Sequence, residues 1–150
     1  MSIALLDVNV LLAVFDAFHS AHAVAARWLV DGPRRWATCA ITENGFVRVR
    51  ADPGYPAPVP VAQSVADLAR ARAAGGHEFW PCDVSIADAS AIDPGRLLGP
   101  SAVTAAYLLA LAVRHGGRLV TFDKGIAHGA VAGAGPKHLV VLGRPASRKE

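Results

Sequence analysis

The chain has 150 residues, 53% of them apolar and 18% charged, with a net charge of +3. That length supports one domain with a sizeable core, and the composition argues for a compact globular chain and against a disordered one. Its longest apolar run, Val103 to Val113, covers eleven residues, too short for a membrane span and suited to a buried helix.

The opening run Ile3-Ala4-Leu5-Leu6-Asp7-Val8-Asn9-Val10-Leu11-Leu12 reads as a buried strand that passes into a short helix from Val8 to Asp16. Ser20 is placed to cap a second helix through Leu29, ended by Asp31-Gly32-Pro33. Trp36 to Cys39 is a short strand. Thr42 is the expected cap of a helix from Glu43 to Arg50, with Phe46 and Val49 on one face. The proline-rich stretch from Asp52 to Pro60 reads as a stiff surface loop. Val61 to Ala74 is amphipathic and helical, stopped by Gly75-Gly76, and His77 to Trp80 is a strand. Gly99-Pro100-Ser101 introduces the apolar helix from Val103 to Arg114, closed after His115 by Gly116 and Gly117. Arg118 to Thr121 and His138 to Leu142 complete the strands. The alternation predicts a parallel sheet with helices on both faces, an α/β fold. The domain is expected to span residues 1–143, with 144–150 as a flexible tail that carries part of the basic excess. Cys39 and Cys82 have no metal-binding spacing and read as buried thiols of a reducing, cytoplasmic setting. Met1-Ser2 leads straight into the first strand with no secretory signal.

Two apolar strands each deliver an aspartate at or near the carboxyl end, Asp7 and Asp123. In open α/β sheets that edge is where ligands bind. Two carboxylates converging there suggest a divalent cation, since repulsion would otherwise keep one protonated. A third acid, Glu43, lies in the first turn of its helix; taken singly it reads as a charge favoured by the helix dipole.

Taken together, five blocks resemble the PIN-domain ribonucleases, and among them the VapC-like toxins of toxin–antitoxin modules. They are Leu5-Leu6-Asp7-Val8-Asn9-Val10-Leu11; Thr42-Glu43-Asn44-Gly45-Phe46-Val47-Arg48-Val49; Gly76-His77-Glu78-Phe79-Trp80-Pro81; Val103-Thr104-Ala105-Ala106-Tyr107-Leu108-Leu109-Ala110-Leu111-Ala112; and Gly116-Gly117-Arg118-Leu119-Val120-Thr121-Phe122-Asp123. The resemblance implies a three-layer α/β/α sandwich with a parallel central sheet. It also implies a Mg²⁺- or Mn²⁺-dependent endoribonuclease, homodimers and an inhibiting cognate antitoxin. Asp7, Glu43 and Asp123 match its metal-holding acids. Where the family pattern reads Val-Thr-Asp-Ala-Tyr, this chain has Ala105. Alanine costs a helix nothing in propensity, so the fold is expected to survive and the metal site to weaken, leaving an attenuated enzyme.

Asn9 and Thr121 could orient the ligands, or merely cap local backbone. Arg48, Arg50 and Lys124 could meet RNA phosphates, although each alone reads as a solvated charge. His19 and His22 have a spacing that can bind metal but lack a third ligand. His77, Trp28, Trp36 and Trp80 read as core or interface. Two rivals stay open. One is a catalytically silent module that docks an antitoxin or RNA. The other is a phosphatase with Asp7 as nucleophile, resembling haloacid-dehalogenase-like enzymes, in which the second aspartate of that pattern would be Asn9.

Overall fold

Short strands buried on both faces need continuous apolar runs, and that is what organises this chain. In the computed structural model, which describes residues 2–32 and 35–143, β1 (Ala4–Leu6) is at most 1% exposed at every position. It is the middle strand of a five-stranded sheet formed among the described residues. The order is β3 (His77–Trp80), β2 (Trp36–Cys39), β1, β4 (Arg118–Thr121), β5 (Leu139–Val141), and every pairing is parallel. Leu5 stands opposite Ala37 on one side and Leu119 on the other.

Side chains alternate across a strand, so the inner strands feed two cores. Ala4, Leu6 and Val120 pack under α1 (Val8–Phe15), α2 (His22–Asp31), α3 (Ala40–Arg50) and α4 (Val61–Ala73), joined there by Val10, Leu11, Phe46 and Leu68. Leu5, Ala37, Cys39 and Leu119 face the other way, onto Leu108, Leu109 and Leu111 of α5 (Val103–Arg114). That helix is also covered from outside, by Ile92 and Val131, which meet in an antiparallel bridge. The result is the expected α/β/α sandwich. The expected tail, 144–150, lies outside the described residues.

Helix α5 ends as its sequence predicts. Gly116 has φ +68°, and the amides of Gly116 and Gly117 return to the carbonyls of Val113 and Ala112 at 3.1 and 2.8 Å. A side chain at Gly117 would overlap the Ile3 carbonyl and the Trp80 ring, so only glycine lets the chain enter β4 there.

Several local expectations are corrected. Ser20 does not cap α2, which starts at His22 after Ala21; instead the His19 Nδ1 accepts the Ala21 amide at 3.0 Å. Helix α3 begins three residues earlier than expected, at Ala40. Thr42 sits within it, and its hydroxyl reaches back to accept the Cys39 amide at 3.0 Å. His22 Nδ1 lies 2.7 Å from the Ala13 carbonyl, so both histidines tie backbone and do not form a metal pair. Arg50 is not a solvated cation: it is 7% exposed, ion-paired with Asp67 at 2.7 Å and stacked over Phe46. Cys39 is buried, but Cys82 is exposed. No helix among the described residues is long and apolar enough to cross a membrane.

Candidate active site

Parallel strands end at one edge, and the helices that follow them begin there. Asp7 ends β1 and caps α1, Glu43 lies in the first turn of α3, and Asp123 follows β4 by two residues. The far end of α5 packs beside Ile3, at the opposite edge, so its first turn, with Ala105 as third residue, also lies at the carboxyl edge.

Asp7, Asn9, Thr121 and Asp123 form one hydrogen-bonded group. The Asp7 Oδ1 accepts the Val8 amide at 2.7 Å and its Oδ2 accepts the Thr121 hydroxyl at 2.8 Å. Thr121 is fully buried, and its oxygen accepts the Asp123 amide at 3.0 Å and the Asn9 side-chain amide at 3.4 Å. The Asn9 carbonyl accepts the Phe122 amide at 3.3 Å, fastening the end of β4 to α1. Burial raises the Asp7 pKa above its ordinary value. The Thr121 and Val8 donors oppose that shift, and the nearby Asp123 charge adds to it. Asp123 itself is exposed, with its Oδ1 accepting the Gly125 amide at 2.8 Å, and Lys124 beside it is exposed.

Glu43 is engaged differently. Its side chain is 15% exposed; Oε2 accepts the Thr38 hydroxyl at 2.7 Å and lies 3.3 Å from the Arg72 guanidinium. Thr38 is fully buried in β2 and also lies 2.7 Å from the His77 Nε2. Burial and then the Arg72 charge lower the His77 pKa, which favours the neutral ring even though Glu43 and Glu78 pull the other way. So the structure joins Asp7 to Asp123 through Thr121 but gives Glu43 a separate set of partners. Among the described residues, no three His, Cys, Asp or Glu side chains gather closely enough to hold a metal ion between them.

Ala105 is half-buried, and the first turn of α5 carries no acid. Arg48 is exposed in the last turn of α3, about 7 Å further along the helix axis than Glu43 and away from the carboxyl edge. Sequence reasoning passed over Thr38 and Arg72 and took His77 for packing. The one available signal was a threonine inside the otherwise apolar strand Trp36-Ala37-Thr38-Cys39, since its partners depend on a β2–β3 register that no local pattern carries.

This site sits on a fold of known kind. Residues 4–132 match the PIN domain family, and the chain belongs to it. It is 56% identical over 140 residues to Ribonuclease VapC44 of Mycobacterium tuberculosis, covering 93% of this chain and 99% of that one. It is 43% identical over 132 residues to Ribonuclease VapC39 of the same organism, with 87% and 95% covered. It is thus a VapC-like PIN protein. A crystal structure of M. tuberculosis VapC20, described as a Sarcin-Ricin loop cleaving toxin, superposes with a TM-score of 0.59. That match covers 87% of this chain and 98% of the other at 13% identity, and it supports the fold alone.

Proposed function

We propose that this chain is a divalent-cation-dependent endoribonuclease of the toxin–antitoxin kind, in a form attenuated by Ala105. The observation that carries the reading is the pair Asp7 and Asp123, tied through Thr121 at the carboxyl edge of a PIN-family sheet. The names of the VapC relatives support RNA as the substrate. The resemblance extends this to a cognate antitoxin and a second copy of the chain as partners.

The donor set fits a hard cation such as Mg²⁺ or Mn²⁺, which takes carboxylate oxygens and keeps several waters. Asp7 is pushed toward its neutral form by burial and by Asp123, and its hydrogen-bond partners are the Val8 amide and the Thr121 hydroxyl. A positive charge beside it removes that penalty. Asp7 and Asp123 are the residues that would hold the cation, with Glu43 joining them through water and Asn9 and Thr121 orienting them. When bound, the cation acidifies water and offsets charge on the phosphoryl oxygens.

Glu43 orients the attacking water and accepts its proton. The water oxygen bonds to phosphorus as the bond to the leaving ribose oxygen breaks, and solvent protonates the leaving oxygen. Lys124 meets a phosphate of the substrate beside Asp123. An aspartate at position 105 would add a carboxylate in a helix first turn, where the macrodipole favours it.

Incubating structured RNA with the chain and with an Ala105→Asp variant, in Mn²⁺ and in EDTA, tests the reading. The variant is expected to cleave faster by roughly a hundredfold or more, with EDTA abolishing cleavage. Equal rates refute the attenuation. RNA bound but left intact by the variant in Mn²⁺ favours the silent docking module.

A further inference from the structure

Glu43 is the acid whose surroundings the family resemblance does not explain. A threonine hydroxyl has one proton, and an ionised carboxylate only accepts hydrogen bonds. Thr38 therefore gives its proton to Glu43 Oε2, 2.7 Å away. The His77 Nε2, equally close to the Thr38 oxygen, must then be the donor on the other side. The chain of bonds runs one way, from the imidazole through the hydroxyl to the carboxylate.

Both supporting residues are anchored. Thr38 is fully buried, Trp36 and His77 are register partners across β2 and β3, and their rings meet edge-on at 4.6 Å. The Arg72 guanidinium closes the remaining side, 3.3 Å from Oε2 and 3.4 Å from Oε1, while resting over Phe79. Oε2 takes the short Thr38 bond, while Oε1 has only the long 3.4 Å contact with Arg72 and keeps lone-pair capacity with which to act. Glutamate has three side-chain torsions to order, and fixing them in advance removes that cost when ligand arrives.

We propose that Thr38 and His77 are positioning residues that hold Glu43 in its working rotamer and aim Oε1 at the reacting water and cation. This rests on the reading of Glu43 given above.

The test uses the full chain, and it starts without metal. Nitrogen-15 spectra of the imidazoles should show His77 protonated on Nε2, with a solvent-protected proton that disappears in Thr38→Val. Mn²⁺ binding is then titrated calorimetrically against Thr38→Val, Thr38→Ser, His77→Phe, His77→Gln and Glu43→Gln. Thr38→Val and His77→Phe should weaken binding about tenfold or more, as loss of a supporting hydrogen bond does. Thr38→Ser restores the hydroxyl and His77→Gln places an N–H where Nε2 stood, so both should bind within about twofold of the parent. Because the conservative variants occupy the same positions, they separate positioning from folding damage. His77 protonated on Nδ1, or Thr38→Val binding Mn²⁺ like the parent while Glu43→Gln does not, overturns the relay alone. Unchanged binding in Glu43→Gln overturns the role of Glu43 itself, and the relay with it.

Discussion

Thr121 donates to Asp7 Oδ2 at 2.8 Å while its oxygen accepts the backbone amide of Asp123 at 3.0 Å. One buried hydroxyl thereby links the Asp7 carboxylate to the backbone of Asp123. Thr121→Val keeps the shape and removes the donor and the acceptor, leaving the Asp123 amide and Asp7 Oδ2 unserved. A loss of about 1–3 kcal/mol is expected in denaturant unfolding, with a fall in cleavage beyond what that loss explains. Thr121→Ser should recover both. Full activity in the valine variant would show that the two acids do not depend on this link.

Burial makes the Asp7 charge costly to the fold. Its folded pKa is raised above the ordinary 3.8, chiefly by burial, so the ionised side chain weighs against the fold. A group of that kind contributes fully below its unfolded pKa, and the contribution is lost as pH rises through the folded value. Asp7→Asn removes the charge while its amide oxygen still accepts the Val8 N–H. Its NH₂ cannot accept the Thr121 hydroxyl, a loss present at every pH, so in EDTA the melting temperature of the variant relative to the parent is expected to rise from pH 4 to pH 7. Mn²⁺ should raise the melting temperature of the parent and leave the variant unmoved, while cleavage falls by about a hundredfold or more. A difference in melting temperature that stays constant between pH 4 and pH 7 contradicts this account.

The layers were legible in the sequence because strands and helices alternate there with unbroken apolar runs, and β1 and α5 formed where Leu5 and Leu108 to Ala112 required burial. Helix starts were less legible. Ser20 and Thr42 are both good caps in isolation, yet packing starts α3 at Ala40 and turns Thr42 into an internal brace. Asp7 and Asp123 were readable as strand-end acids, whereas the partners of Glu43 depend on a contact between α3 and α4 and on strand register. Arg50 shows the same limit: its partner Asp67 is seventeen residues away, on the next helix.

Tyr55 and Asp16 tie the loop after α3 to the end of α1 through a hydroxyl–carboxylate hydrogen bond of 2.6 Å. Burial opposes ionisation of Asp16, but the Tyr55 hydroxyl, the Phe18 amide and the His19 and Arg50 charges outweigh it and hold its pKa below 3.8. Burial, then the hydrogen bond and charge of Asp16, push Tyr55 up to about 12 from 10. The two signs differ. The Asp16 contribution is present above 3.8 and is lost as pH falls through the lower folded value. That of Tyr55 is complete below pH 10 and fades as pH rises toward about 12. Tyr55→Phe should cost about 1–2 kcal/mol at pH 7, with the difference shrinking above pH 10 and below pH 3.8. In a Tyr107→Phe background Tyr55 is the remaining tyrosine, and its ultraviolet titration should show no midpoint near 10. A constant difference from pH 7 to 11 would mean the bond is not formed in solution.

Gly45 is where α3 crosses α1, and a side-chain carbon there would stand 2.7 Å from Val8 Cγ2. Two effects compete in Gly45→Ala. Alanine improves helix propensity by about 1 kcal/mol, while overlap with a β-branched neighbour costs about 1–3 kcal/mol. Val8 is stiff about χ1 and follows Asp7 directly, so it cannot swing aside without moving the start of α1. Overlap should win, giving a net loss of about 1 kcal/mol in unfolding. Cleavage should fall further than that loss implies, because the shift reaches Asp7 through the Val8 amide it accepts at 2.7 Å. Val8→Ala in the same chain removes the offending methyl groups, and the double variant is expected to melt above Gly45→Ala alone and to regain activity. If the double variant stays as impaired as the single one, the approach of these two helices is not what places Asp7.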